Sequence, residues 1–144
     1  MKIDINGVSI TLTEEQLAEI ARQTQKVKSF KDIKSFEIAC EHLGITISSF
    51  NEKLKGLDKS EIAFRKLKII VKAIRSFTNW KPNWSNSNQR KYRIWFDLEK
   101  GFWYWNSDYY DTSTSVPSAL LLKSSDLAYY CGVKFTPLYK DYYQ

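Results

Sequence analysis

The chain has 144 residues, a net charge of +6 and 15% aromatic residues, and at this length one domain buries roughly two thirds of its unfolded surface. It contains neither the roughly 18 consecutive apolar residues of a membrane-spanning helix nor the N-terminal pattern of a secretion signal. We therefore expect a single cytoplasmic domain over residues 1–144, without membrane contact. The two cysteines, Cys40 and Cys131, lack a metal-binding or disulfide pattern, and both are predicted to be buried.

Residues 1–79 are predicted to be mainly helical after a short hairpin. Alternating apolar residues on either side of Asn6-Gly7 indicate two strands and a tight turn. Thr13 begins a capping box, Ser35 and Asp58 are predicted helix N-caps, and Gly44 is a predicted helix end. The predicted helices cover residues 13–25 (or 26), 35–43, 48–54 and 59–77, with a basic connector at 26–34.

Residues 80–144 are predicted to be rich in strands. A polar loop at 80–89 precedes strands at 92–98 and 102–105, which are joined by Glu99-Lys100-Gly101, and a third strand begins at Tyr109. Residues 119–122 are predicted to be a buried strand, and Ser124 or Ser125 caps a terminal helix that Pro137 kinks or splits. The predicted fold class is α+β, with a helical N-terminal half packed on a small antiparallel, aromatic-rich sheet and closed by a C-terminal helix.

Positive charge is concentrated in the middle of the chain, where residues 53–93 carry a net charge of +10. On the longest predicted helix, the basic residues recur at helical spacing and share one sector beside the apolar stripe. Such a ridge is typical of a surface that attracts phosphates or another acidic partner.

Aromatic residues are concentrated next to this basic segment. All five Trp lie between residues 80 and 105, and alternation places aromatic rings on both faces of the predicted strands. Bases stack on such rings while Lys and Arg neutralise phosphates. We therefore predict binding of a nucleotide or single-stranded nucleic acid, with amides at positions 83, 86, 88 and 89 contacting base or sugar edges. The candidate ligand-binding residues are Arg65, Lys68, Lys72, Arg75, Trp80, Trp84, Arg90, Lys91, Tyr92, Arg93, Trp95, Trp103 and Trp105.

Catalytic machinery is not predicted. His42 is the single histidine, which excludes His-based triads and metal clusters within one chain, and the phosphate-binding glycine motifs are absent from the sequence. Carboxylates at positions 97, 99, 108 and 111 would suit a divalent ion, but carboxylates beside turns are commonly just solvated. No catalytic residue, metal or cofactor is therefore predicted.

Two other interpretations of the aromatic segment remain open. The rings can fill an ordinary core, or they can form a protein interface, because Tyr and Trp are enriched at interfaces for the same physical reasons. In the second case the chain is an interaction or structural protein that pairs with itself or with another protein.

Several short motifs in residues 60–144 carry a resemblance to a group of proteins. They include Lys81-Pro82-Asn83-Trp84, Trp95-Phe96-Asp97, Leu127-Ala128-Tyr129-Tyr130 and Leu138-Tyr139-Lys140-Asp141. With these motifs the chain resembles small uncharacterised proteins encoded by phages and prophages of Bacteroidetes, although Pro137 departs from the uninterrupted terminal helix expected there. The resemblance implies an accessory role in nucleic-acid handling, in blocking host defence or in the virion, and it assigns no catalytic residue. Sequestration of a nucleotide used as a host-defence signal is one form of this hypothesis. The resemblance also implies that the partner of an interaction or structural protein of this kind is a host or phage protein.

Overall fold

The computed structural model describes residues 2–5, 7–24, 27–99 and 101–144. The predicted turn residue Asn6, the predicted helix end at Gln25 or Lys26, and Lys100 in the predicted hairpin loop lie outside the described residues. The described strands and helices are β1 (Lys2–Ile5), β2 (Val8–Thr11), α1 (Glu14–Thr24), α2 (Phe36–Leu43), α3 (Ile47–Glu52), α4 (Lys59–Ser76), β3 (Lys91–Asp97), β4 (Trp103–Tyr110), α5 (Ser125–Lys134) and α6 (Thr136–Tyr143).

Capping residues begin and end the N-terminal helices where the sequence predicts. The Thr13 hydroxyl accepts a hydrogen bond from the Gln16 amide at 3.2 Å, and the Ser35 hydroxyl accepts one from the Ile38 amide at 3.2 Å. Gly44 ends α2 with a φ of 69°, a conformation that glycine adopts without strain. The antiparallel pairing of β1 with β2 confirms the opening strands. The short α3 begins one to two residues earlier than predicted, with Thr46 as its N-cap.

The central helix α4 forms the middle of the core. Asp58 caps it by accepting a hydrogen bond from the Glu61 amide at 2.9 Å. Its apolar stripe is buried as predicted and packs against α2 and α6. The stripe occupies one side of α4. Of the basic residues beside it, Arg65 and Lys72 are exposed, whereas Lys68 and Arg75 are half-buried.

The aromatic sheet is a two-stranded antiparallel hairpin. β3 pairs with β4 from Lys91↔Tyr110 to Asp97↔Trp103, with a bulge opposite Trp95 and Phe96. The predicted third strand at Tyr109 is wrong, because β4 continues through this position. The bulge accommodates the extra residue Trp105, so the strand continues past the point where a break was expected.

The α5 helix covers the inner face of this hairpin. A Cβ atom at Gly132 would lie 2.4 Å from Cδ2 of Tyr104 and 3.0 Å from Cγ2 of Ile94. A side chain at position 132 would therefore separate the helix from the sheet.

The segment before α5 differs from its prediction. Residues Ser118–Leu120 form a 3₁₀ turn after Pro117, and Leu122 alone pairs with β3 through two hydrogen bonds to Tyr92. The predicted strand at 119–122 is therefore wrong except for one β-bridge at Leu122. The apolar residues of this segment bury their side chains without forming a strand that pairs along its length. Downstream, Pro137 lies in the first turn of α6 and separates it from α5, as predicted.

The fold class is α+β: helices pack on a small antiparallel, aromatic-rich sheet, and the terminal helices close the core. Both cysteines are buried as predicted, and burial raises the pKa of the Cys131 thiol. Among the described residues, no helix has the length and apolar character needed to cross a membrane.

Candidate functional site

A cleft of about 570 Å³ lies between α4 and the chain that follows it, and four cationic side chains line it. Three are spaced along one face of α4, at positions 68, 72 and 75, and the fourth, Lys81, approaches from the loop. Trp80 contributes an aromatic wall. The structure thus brings together Lys68, Lys72, Arg75 and Trp80 from the predicted set.

The lysines of this cleft have no carboxylate partner among the described residues. Among the described residues that line the cleft none is acidic, and within the same part of the chain Lys68, Lys72 and Lys81 take part in no ion pair. Lys72 and Lys81 are exposed, whereas Lys68 is half-buried with its ammonium 4.8 Å from the centroid of the Phe64 ring. Like charges gathered without counterions raise the local potential and attract an anion.

Arg75 is held rigidly at the base of the cleft. Its Nε donates to the Leu121 carbonyl at 2.7 Å, and its Nη2 donates to the carbonyls of Ser118 and Leu121. Burial lowers the pKa of Arg75 to about 10, so the guanidinium remains charged at neutral pH. It lies over the Trp80 ring, 5.2 Å from the centroid, which fixes the orientation of the indole.

Local backbone geometry turns Trp80 back over the helix. Thr78 closes the end of α4 by donating its amide and its hydroxyl to the Arg75 carbonyl, at 3.0 and 3.2 Å. Asn79 then adopts a left-handed conformation with a φ of 49°, which a short polar side chain tolerates better than most. The reversal at Asn79 places both Trp80 and Lys81 beside the α4 cations.

Ser76 and His42 complete the polar wall next to α2. Nε2 of His42 lies 2.8 Å from the Ser76 hydroxyl, which in turn donates to the Ala73 carbonyl at 2.6 Å. The His42 ring stacks on Phe77, with centroids 4.9 Å apart. His42 therefore positions a hydroxyl at the cleft.

The cations at the β3–β4 hairpin form an ion pair and aromatic contacts within the protein. Arg93 is clamped to Asp108, with Nε to Oδ1 at 2.7 Å, and lies between the rings of Trp95 and Tyr110 at 4.2 and 4.4 Å from their centroids. Hydrogen bonds from Arg93 lower the pKa of the Asp108 carboxyl. The exposed Arg90 lies over Tyr109, 4.5 Å from the centroid. Arg93 therefore brings little uncompensated charge to the exposed rings of Trp95, Trp103 and Trp105.

Lys91 and Trp84 form part of the interior of the strand-rich half. Lys91 is fully buried, and its ammonium donates to the carbonyls of Asn86, Gln89 and Asp111 at 2.5–3.1 Å. Trp84 covers it, with its ring centroid 5.1 Å from Nζ. These contacts give Lys91 a structural role.

The remaining candidates are dispersed. Tyr92 is half-buried in β3 against Tyr109, and Arg65 is exposed on α4 outside the cleft. Three of the side-chain amides expected to contact a ligand instead bond within the loop. Asn83 and Asn86 accept hydrogen bonds from the backbone amides of Ser85 and Asn88. Gln89 accepts from the Asn83 backbone amide and donates to the Lys81 carbonyl.

The carboxylates considered as metal ligands make local contacts. Asp97 accepts a hydrogen bond from the Glu99 amide at 2.9 Å, and Asp108 binds Arg93. Among the described residues, no group of three or more His, Cys, Asp or Glu side chains is arranged to hold a metal ion.

A second cavity, of about 320 Å³, lies beside β3 and is lined largely by apolar groups such as Val116 and Tyr143. The cation in its wall is Arg93, which Asp108 neutralises. This cavity is therefore less suited to an anion than the α4 cleft.

The prediction from sequence missed Ser76 and Asn79 as cleft residues. Positions 68, 72, 76 and 79 continue one helical face, so extending the periodicity past the end of α4 would have identified both. The sequence carried no signal that the loop folds back to bring Lys81 to this face.

Comparison with protein families, with curated proteins and with solved structures gives no match.

Proposed function

We propose that the protein binds a phosphate-bearing ligand of the nucleotide class in the α4 cleft, with Lys68, Lys72 and Lys81 contacting phosphate and Trp80 stacking on the base. The observation that carries the proposal is a cleft with four cations and no acidic lining among the described residues. Its volume of about 570 Å³ falls within the usual range for a small-molecule site. A site of this size favours one nucleotide over a longer strand.

In this arrangement the lysines and the Trp80 ring have separate roles, the first in binding phosphate and the second in stacking. Arg75 is fixed by two carbonyls and holds one side of the Trp80 indole, while the lysines keep their donors for the ligand. A phosphate would relieve the repulsion among the cations, and stacking of a base on an aromatic ring contributes about 1–3 kcal/mol. The proposal therefore requires a ligand with both parts.

The proposed biological role is binding without catalysis. Together with the resemblance to phage proteins, the cleft supports an accessory protein that sequesters a nucleotide, including one used as a signal in host defence. A single-stranded nucleic acid is the competing ligand of the same chemistry, and the experiment below distinguishes the two.

Calorimetric titration at about 50 mM salt, where charge contacts are strong, tests the proposal. The probes are adenosine triphosphate, a cyclic dinucleotide, a ten-residue deoxythymidine oligonucleotide and inorganic tripolyphosphate. We expect a nucleotide to bind more tightly than tripolyphosphate, because only the nucleotide stacks on Trp80. Tighter binding of the oligonucleotide than of either nucleotide would favour the nucleic-acid ligand instead.

Two charge reversals on α4 locate the site. Lys72→Glu should weaken nucleotide binding by about tenfold or more, since a charged contact is lost and a repulsive one is added. Arg65→Glu makes the same change in charge on the same helix but outside the cleft, and should weaken binding less than about threefold, because Arg65 does not line the cleft and solvent screens its charge. Equal effects of the two substitutions, or no binding of any probe, would contradict the proposal.

A further inference from the structure

The outer edge of β4 is an unpaired strand edge. β3 and β4 form a two-stranded sheet, so one edge of β4 bonds β3 and the other faces away from it. Within the described part of the chain, no group outside the hairpin hydrogen-bonds to the β4 backbone, and the Ser107 amide bonds the neighbouring Asn106 side chain. Such an edge presents free amide and carbonyl groups to another strand.

Apart from the bulge at Trp105, this edge lacks the features that usually prevent strands from associating. β4 is eight residues long and contains neither proline nor lysine. Its single charged residue, Asp108, is paired with Arg93. The edge is therefore long and close to neutral, although the chain as a whole carries a charge of +6.

Exposed rings flank the edge on the strand itself and on the neighbouring helix. The exposed fractions are 47% for Trp103, 59% for Trp105 and 43% for Tyr109. On α5, Tyr129 is 57% exposed and meets β4 through edge-to-face contact with Tyr104 at 5.2 Å, and Val133 is 50% exposed. An added strand would thus be flanked mainly by apolar groups, with the Arg90 guanidinium over the Tyr109 ring.

The exposed area is sufficient for a small specific interface. An aromatic side chain covers about 150–250 Å² when buried, so the exposed parts of these four rings amount to roughly 400 Å² per chain. Two copies, with Val133 and the strand backbones included, would bury on the order of 1,000 Å², which is the lower limit for a specific interface.

A second copy of this chain is the occupant that fits this edge. Antiparallel pairing about a two-fold axis places β4 of one copy against β4 of the other. Because this strand is close to neutral and lined by aromatic rings, the two copies can pair without repulsion between like charges. An acidic partner would instead be drawn to the α4 cleft, where the unpaired lysines lie. We propose that two copies of the chain associate by antiparallel pairing of their β4 strands, which forms a continuous four-stranded sheet in the order β3-β4-β4-β3.

Analytical ultracentrifugation of the full chain tests the proposal, with acrylamide quenching of Trp fluorescence as a second readout. We expect a concentration-dependent dimer whose Trp103 and Trp105 become protected from the quencher as it forms. Trp105→Lys places two ammonium groups near the two-fold axis and should raise the dissociation constant about tenfold or more. Tyr129→Lys should act in the same direction without changing the strand, so a folding defect in the first variant leaves the test intact.

Leu98→Lys is the matched control, because Leu98 is 55% exposed and lies in the cavity beside β3, away from the β4 edge. It should leave the dimer unchanged. A wild-type chain that sediments as a monomer up to about 100 µM, or a dimer that survives both Trp105→Lys and Tyr129→Lys, would overturn the proposal. Nucleotide binding uses other residues, so a monomeric variant that still binds nucleotide would separate the two proposals.

Discussion

At the scale of single residues, the buried Lys91 and the half-buried Arg75 show how cations are accommodated in this protein. Lys91 has three carbonyl partners and a Trp84 ring, and Arg75 has two carbonyl partners and a Trp80 ring. In both cases backbone oxygens replace the water that burial removes. These cations connect distant segments: Lys91 joins the 86–89 loop to Asp111, and Arg75 joins α4 to the 118–121 turn.

Replacing Lys91 tests this structural role. Lys91→Met keeps much of the side-chain volume but leaves three carbonyls without a donor, and should lower the free energy of unfolding by about 3–5 kcal/mol. Lys123→Met removes an exposed lysine and should change it by less than about 0.5 kcal/mol. Urea denaturation measures both. A loss below about 1 kcal/mol for Lys91→Met would mean that water replaces the ammonium.

At the scale of secondary-structure elements, the contact between α5 and the β3–β4 hairpin depends on one glycine. Glycine is normally unfavourable inside a helix, by about 1 kcal/mol relative to alanine. At position 132 the close approach of Tyr104 and Ile94 outweighs that preference, because even a methyl group would overlap the Tyr104 ring. Packing, and not helix propensity, therefore determines this residue.

Gly132→Ala should consequently destabilise the protein by up to about 2 kcal/mol, which is the overpacking cost of about 1–3 kcal/mol less the gain of about 1 kcal/mol in helix propensity. In the double variant with Tyr104→Ala, the ring that overlaps the new methyl group is absent, so the two effects should be non-additive by about 1 kcal/mol. Urea midpoints of the two single variants and the double variant give the coupling. A stabilising Gly132→Ala would show that the helix is not held this close to the sheet.

At the scale of the whole molecule, we expect the uneven distribution of charge to make stability and the proposed ligand binding depend on salt in opposite directions. Residues 53–93 carry most of the positive charge, and the α4 cleft concentrates part of it without carboxylates among its described lining residues. The free protein therefore bears a repulsion that added salt screens. The same screening weakens the attraction of the cleft for an anion.

Thermal unfolding with and without a saturating nucleotide tests this coupling. At about 100 times the dissociation constant, a ligand adds about 2.7 kcal/mol to the free energy of unfolding. Raising the salt from about 50 to 500 mM should lower the nucleotide affinity about tenfold and slightly raise the unfolding midpoint of the free protein. The unfolding midpoints of the free and the nucleotide-bound protein should therefore converge. A ligand-induced shift that is independent of salt would contradict binding by charge.

Local signals were sufficient to predict most of the elements. The caps at Thr13, Ser35 and Asp58 and the break at Pro137 are formed by neighbours in the chain, so their outcome follows from short-range chemistry. The errors arose where pairing between distant segments decides the structure. β4 continues past Trp105 because of a bulge against β3, and Leu122 forms a single bridge because the 3₁₀ turn after Pro117 diverts the chain.

For the candidate site, the sequence by itself determined which residues carry charge and aromatic rings. It also determined that Lys68, Lys72 and Arg75 share one face of a helix, because helical spacing is a local property. Only the tertiary structure decided which of them face solvent together. It buried Lys91 under Trp84, paired Arg93 with Asp108, and folded Trp80 and Lys81 back over α4. Burial and ion pairing depend on contacts between residues far apart in the chain, which the spacing of residues does not specify.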